Sequence, residues 1–396
     1  MTRKTLILAY FILVVLILGF VLVIQNETPV IIPAEESDKY SDEFIYGEVQ
    51  KVLPASSEDE SQVLEIKIQS GEKDGKIISA PVSSMNTFNS YEIGDRVQVY
   101  GMTNMETLEV NYETADYYHK GGLKWVFFVF AFTAIIIAGR KGLTAILSVV
   151  ISLLLFYFVF LKMIIAGYSP VLSCLLFVVM VTALTIPLIH GFNKKSLSAM
   201  LAILVGYVLS IFIAFFFEDM VQLGNAPDEE FRTLGIMYPD MALSGILIAS
   251  IFMGAIGALI DTAVSISSAI FEAMEKHLKQ TFWQVYKVGI EVGKDILGSM
   301  INTLLFAYLA SILPFLILIS LNENSTLTEL VNMDFIALEL TRTFIGAISL
   351  VLLIPVTASI SAYYFTKIKK GKNCFFYSQL DFHFSFLLAC IMCLQT

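Results

Sequence analysis

Uncharged, mostly apolar runs of about twenty residues recur along this chain of 396 residues, and no other feature restricts its fold as tightly. A lipid hydrocarbon core is ~30 Å thick, which takes about 20 apolar residues at the 1.5 Å rise of a helix. Chain inside lipid must also satisfy its own backbone hydrogen bonds, as a helix does. Eight runs qualify: residues 6–24, 123–139 (with Lys124 at its outer lip), 143–161, 168–189, 197–217, 241–260, 296–321 and 343–365. Composition agrees, since 57% of the residues are hydrophobic and only 15% charged. The expected fold is an all-α polytopic membrane protein of eight transmembrane helices, with one small all-β domain outside the bilayer.

Lys and Arg near span ends mark the inner side of a membrane. Arg3 and Lys4 place the N-terminus inside. Eight spans then make inner loops of Arg140-Lys141, of Lys194-Lys195, of the stretch 272–295 with Lys276, Lys279, Lys287 and Lys294, and of the tail with Lys367, Lys369, Lys370 and Lys372. The outer loops are acidic: Glu218, Asp219, Asp228, Glu229, Glu230 and Asp240 in one, and Glu323, Glu329, Asp334 and Glu339 in another. Lys162 is the exception on the outer side. The run 6–24 reads as a retained anchor, because Ile24-Gln25-Asn26-Glu27 offers no small-residue cleavage site.

Residues 25–122 are polar and acidic and have room to fold outside the bilayer. Phe44–Val49, Val63–Ile68, Lys76–Ala80 and Arg96–Tyr100 alternate apolar and polar side chains as short strands do. Ser-Gly, Asp-Gly and Ile-Gly-Asp turn signals separate them. The count suits a five-stranded barrel of the OB type, either a ligand-binding module or a spacer in an assembly. The net charge of −10, from 25 Lys+Arg against 35 Asp+Glu, excludes a basic nucleic-acid surface. The domain layout is thus an anchor at 6–24, a β-domain at 25–122, a seven-helix domain at 123–370 and an atypical tail at 371–396.

Charged and strongly polar residues inside spans are costly, so each is a functional candidate. In the first of two stretches, Asp261, Ser265, Ser268 and Glu272 follow i, i+4, i+7, i+11 spacing. At about 100° per residue this is one narrow helical stripe. Glu291, Asp295, Ser299 and Asn302 repeat the spacing in the second. Each stripe is about 16 Å long, and the helices run in opposite directions, so they form a hairpin in which the two stripes can face each other. Gly254, Gly257 and Ala258, and Gly293, Gly298 and Ser299, leave room for close backbone approach. Four carboxylates with Lys294 in the same seam repel unless a proton or cation neutralises them. That makes a proton or monovalent-cation site of Asp261, Ser265, Glu272, Glu291, Lys294, Asp295, Asn302 and Thr303. The structural alternative is a polar seam that only stitches helices together. The segment 273–288, with Met274, Leu278, Phe282, Trp283, Val285 and Tyr286 among Glu275, Lys276, Lys279 and Lys287, is expected as an amphipathic helix lying at the inner interface.

Enzyme chemistry finds no support. His119, His190, His277 and His383 show no metal-ligand spacing, and G-x-S-x-G, P-loop and dinucleotide motifs are missing. Neither a catalytic residue nor a resident cofactor is expected. Cys390-x-x-Cys393 sits in an apolar run without the context of a redox motif. Pro187, Pro314 and Pro355 lie in or near span ends, as helix breaks in transporters do.

The β-domain followed by seven spans, the stretch GAIGALIDTAVSISSAIFE from Gly254 to Glu272, and GKDILGSMINTLLFAY from Gly293 to Tyr308 resemble the YibE/F-like multi-pass membrane proteins of bacteria. The resemblance extends over about residues 1–370. It implies a bacterial plasma membrane, with the lipid bilayer and a second membrane protein of the same family as partners. It implies no biochemical activity or substrate. The family's motif positions fall on Asp261, Ser265, Glu272, Asp295, Asn302 and Thr303. His119 departs from the pattern, standing where a basic, Arg-like residue is expected before the second span. From Asn373 the composition shifts to Cys, Phe and Leu, and a frameshifted end is the expectation there, with a short ninth span at 380–394 as the alternative. The functional expectation is a permease-like or transport-associated protein with a cation- or proton-responsive carboxylate site. The rival is a non-catalytic scaffold or sensor whose β-domain binds a partner.

Overall fold

A computed structural model describes residues 40–53, 62–70, 73–83, 89–104, 110–223, 228–275, 280–321 and 326–370. The anchor at 6–24 and the tail at 373–396 lie outside the described residues. So do Lys276, His277, Lys279, Glu323, His383 and the Cys390/Cys393 pair. The described chain forms two compact units that divide between Gly142 and Leu143.

The first unit holds five antiparallel strands: β1 (Tyr40–Leu53), β2 (Val63–Ile68), β3 (Ile77–Pro81), β4 (Arg96–Asn104) and β5 (Val110–Tyr117). Their order is β3-β2-β1-β4-β5, so the long β1 pairs on both sides. A parallel bridge between Val82 and Thr114 brings the ends of the sheet together into a near-barrel. The period of two is met inside, where Ile45, Val49, Leu64, Ile66, Ile68, Val97 and Val99 make the core. Gly94 takes φ 97° at the turn before β4, the left-handed conformation its Ile-Gly-Asp signal implied. The strand that the alternation did not single out is β5. Helix α1 (Lys120–Ala138) follows, with no buried residue along its length.

The second unit is all helical. Its elements are α2 (Arg140–Ile165, with a π turn at Phe156–Leu161), α3 (Pro170–His190), α4 (Lys194–Val221), α5 (Glu229–Met237), α6 (Leu243–Glu275), α7 (Phe282–Ser311), α8 (Leu313–Ser320), α9 (Leu327–Val331) and α10 (Asp334–Lys370). Local chemistry explains the starts. Pro170 opens α3 where a missing N–H costs nothing. The Asn193 side chain accepts from Ser196 N at 2.8 Å before α4, and Asp228 from Phe231 N at 2.9 Å before α5. Gln284 Oε1 accepts from Thr281 N at 2.9 Å before α7.

Six helices are long and apolar enough to cross a membrane: Lys120–Ala138, Arg140–Ile165, Pro170–His190, Lys194–Phe217, Leu243–Ala273 and Asp334–Thr366. The pair α7 and α8 makes a seventh if counted as one span, but it is bent by 66°. Among the described residues, then, six or seven of the eight expected spans are present. The bend falls at Ile312, next to Pro314, which lacks a backbone N–H. Pro187 and Pro355 stay inside unbroken helices. The expected interfacial helix over 273–288 falls partly on residues 276–279, outside the described residues, and among the described ones Gln280 and Thr281 belong to no helix. Residues 273–275 end α6, and Phe282 to Val288 are the first turns of α7, begun by the Thr281 cap.

Packing centres on α10, which contacts α4, α6 and α7 most extensively. Gly289 and Gly293 let α7 press against α10. A Cβ on Gly289 would lie 2.7 Å from Ala358 Cβ, and one on Gly293 would overlap Ile354. The core includes Phe177, Tyr207, Leu247, Ile251, Phe252, Leu259, Leu304 and Leu353.

Candidate functional site

The two polar stripes exist on α6 and α7, and the structure places most of their side chains on the exposed surface of the helical unit. Asp261, Ser265 and Glu272 are exposed on α6 and Ser268 is half-buried. Glu291, Lys294, Asp295, Ser299, Asn302 and Thr303 are exposed on α7. On α7 the reason is geometric. Glu291 and Asp295 follow Gly289 and Gly293 by two residues, about 200° around the helix. The glycines face α10, so the acids face away.

The expected closed hairpin, with the stripes in contact and Lys294 in the seam, is therefore corrected. Among the described residues, no hydrogen bond or ion pair joins one stripe to the other. Lys294 instead pairs with Glu291 on its own helix at 2.9 Å, and Glu272 with Lys195 of α4 at 3.5 Å. Thr303 Oγ1 donates to the Ser299 carbonyl at 2.8 Å, and Ser299 Oγ to the Ile296 carbonyl at 2.9 Å. Small residues win the contacts between helices, because polar side chains buried without partners cost several kcal/mol each. Close approach of α6 and α7 uses other positions: the Tyr308 hydroxyl lodges over Gly254, and Ile270 packs where Gly289 lacks a side chain.

Helix stitching falls to hydroxyls outside the stripes. Ser267 and Ser361 share a hydrogen bond at 3.0 Å, and Ser361 Oγ donates to Ser198 Oγ at 3.3 Å. This buried chain ties α6, α10 and α4 together. Tyr207 Oη donates to Cys174 Sγ at 2.8 Å between α4 and α3. No group of three or more His, Cys, Asp or Glu side chains that could hold a metal ion is present among the described residues.

A second polar cluster was not found from the sequence. Glu339, read there as an outer-loop acid, lies in α10 with only 5% of its surface exposed. Arg342, one turn on, pairs with Glu339 Oε1 and donates from Nη2 to Ser250 Oγ of α6 at 2.7 Å. Ser250 in turn donates to the Leu247 carbonyl at 2.7 Å. Three buried atoms of this neighbourhood have no hydrogen-bond partner among the described residues: Glu339 Oε2, Arg342 Nε and Tyr308 Oη. Ser250 and Gly254 are i and i+4 on α6, so one face of that helix receives both Arg342 and Tyr308. The available signal was the Glu-x-x-Arg spacing, i to i+3, which aligns an acid and a base on one helix face.

In the β-domain, Lys73 Nζ donates to Glu43 Oε2 at 2.7 Å and lies 5.5 Å from the centre of the Tyr112 ring. The hydrogen bond to Glu43, followed by one to Tyr112, holds the lysine pKa above its ordinary value. Burial raises the pKa of Tyr91 and of Tyr117.

Comparison with curated proteins gives no match, and neither does comparison with solved structures. A family model described as YibE/F-like protein matches residues 126–367, more than half of the chain, and the chain belongs to that family.

Proposed function

We propose that this YibE/F-like membrane protein is permease-like or transport-associated, with Asp261 and Asp295 as the groups that take up a cation or proton. Ser265, Asn302 and Thr303 serve as neutral oxygen donors, Glu272 and Glu291 as flanking acids, and Lys294 as counter-charge. The observation that carries this reading is the exposure of Asp261 on a helix long and apolar enough to cross a membrane, and of Asp295 on α7, which meets that test together with α8. A carboxylate on a spanning helix costs at least a few kcal/mol against lipid. Such a face calls for an aqueous path or for a second protein of the same family against it. The proposed setting is a bacterial plasma membrane, with the N-terminus cytoplasmic and residues 25–122 extracytoplasmic. The strand order, closed by the parallel Val82–Thr114 bridge, supports an OB-type reading of the β-domain. No catalytic step is assigned.

A second reading, a non-catalytic scaffold or sensor, has its own support. Ser299 and Thr303 spend their hydroxyls on their own backbone, and Glu272 and Glu291 are already paired with lysines.

Thermal stability of the full chain in detergent, measured across mono- and divalent cations and across pH, separates the two. A ligand bound only to the folded state adds about 2.7 kcal/mol at a hundredfold excess over its Kd. The expected result is a cation-selective rise in Tm that the Asp261→Asn, Asp295→Asn double variant loses. No rise with any cation, and no pH-dependent difference between the two proteins, favours the scaffold.

A further inference from the structure

The cluster where α6, α7 and α10 meet is used by neither of these readings. A buried ion pair that serves only to hold helices together saturates its acceptors, because an open lone pair in a low-dielectric interior is costly. This one does not. Glu339 engages Oε1 alone, and Oε2 is without a partner among the described residues. Arg342 Nε and Tyr308 Oη are likewise open, so three unpartnered polar atoms gather at one junction of three helices. Folded proteins leave only a few such atoms per hundred residues, and each calls for an explanation.

We infer that Glu339, with Arg342, Tyr308 and Ser250 around it, is a proton-binding site. The charge balance selects the ligand. A metal cation would meet the Arg342 guanidinium, and an anion would meet the carboxylate. A proton adds to Oε2 without needing a cavity and turns an open acceptor into a donor. In that step hydronium gives up one O–H bond, an O–H bond forms on Oε2, water leaves, and no electrons change hands. The Glu339–Arg342 pair passes from net neutral to net +1. Arg342 then keeps Ser250 of α6 as its hydrogen-bond partner but loses its counter-charge on α10. The titratable groups facing Glu339 are Arg342 on its own helix, Tyr308 from α7, and Asp228, the capping carboxylate of α5. The site shares no residue with the Asp261 and Asp295 reading, and its test is independent of that reading.

The test is infrared difference spectroscopy of the full chain in liposomes, titrated from alkaline to acid pH. The expected result is a protonated-carboxyl C=O band that rises on acidification, vanishes in Glu339→Gln and survives in the Asp261→Asn, Asp295→Asn double variant. Tyr308→Phe keeps the carboxylate and covers the case in which Glu339→Gln does not fold. The Tyr308 hydroxyl makes no bond to the ionised carboxylate and can accept only from the protonated one, so its loss is expected to lower the midpoint of that band by about one pH unit, tenfold in proton affinity. A titrating band that is unchanged in Glu339→Gln, or that disappears only in the aspartate double variant, overturns the proposal. So does a midpoint that stays in place in Tyr308→Phe.

Discussion

The stripes on α6 and α7 and the cluster at Glu339 are both polar inserts in apolar helices, yet the fold treats them in opposite ways. The stripes are long, regular and carry four carboxylates, and they lie on exposed faces. The cluster is one acid and one base a turn apart, with Glu339 buried and Arg342 half-buried where three helices meet. Charge balance accounts for the difference. Four acids with a single lysine cannot enter a low-dielectric core, whereas a matched pair can do so at tolerable cost.

The largest test of this contrast is to remove one partner of each pair. Arg342→Met leaves Glu339 buried without its counter-charge and is expected to cost about 3–5 kcal/mol. Lys294→Met, at a pair exposed on both sides, is expected to cost about 1 kcal/mol or less. Denaturant unfolding in detergent micelles measures both, and equal losses would break the comparison.

The two faces of α7 give the next test. Gly293→Ala forces a methyl group onto Ile354 of α10 and is expected to destabilise by about 1–3 kcal/mol. Gly298→Ala points into open space and is expected to stabilise by about 0.5–1 kcal/mol, through the better helix propensity of alanine. Melting temperatures of the two variants should therefore move in opposite directions.

Serines of the same motif sharpen the contrast further. Ser267→Ala breaks a buried hydroxyl chain, and a loss of about 1 kcal/mol is expected. Ser265→Ala, on the exposed stripe, should stay within about 0.5 kcal/mol of the parent.

The smallest effect belongs to the β-domain. Because Lys73 titrates above its ordinary value when folded, its contribution is complete below the ordinary lysine pKa and is lost as pH rises through the raised one. Lys73→Met should therefore lower the melting temperature slightly at neutral pH and flatten its fall at alkaline pH.

These pairs also mark how much the sequence could tell. Apolar run length placed the helices, and alternation placed β1 to β4, since burial on one face imposes a period directly. The same periodicity aligned Asp261 with Ser265 and Asp295 with Asn302, but an alignment carries no information about which way a face turns. That was decided by Gly289 and Gly293, whose contacts with Ala358 and Ile354 lie some sixty to seventy residues away in the chain. Glu339 was misplaced because charge was used to end a span. The structure carries α10 from Asp334 to Lys370 and buries the charge with a partner one turn along. The described parts of the segment 273–288 were misread for a related reason: residues 273–275 end one long helix and 282–288 begin the next.

The bend at Ile312 has a mechanical meaning. Ser311 Oγ donates to the Tyr308 carbonyl at 2.6 Å, and Leu316 N to the Ile312 carbonyl at 3.0 Å, so backbone groups on both sides of the break keep partners. A joint satisfied in this way can change its angle without stranding those polar groups in an apolar medium. The eight residues of α8 make a lever about 12 Å long. A change of about 10° at the joint sweeps its tip by about 2 Å. The fulcrum is four residues from Tyr308, so a displacement at the far end of the lever is delivered one turn from the phenol that rests on Gly254.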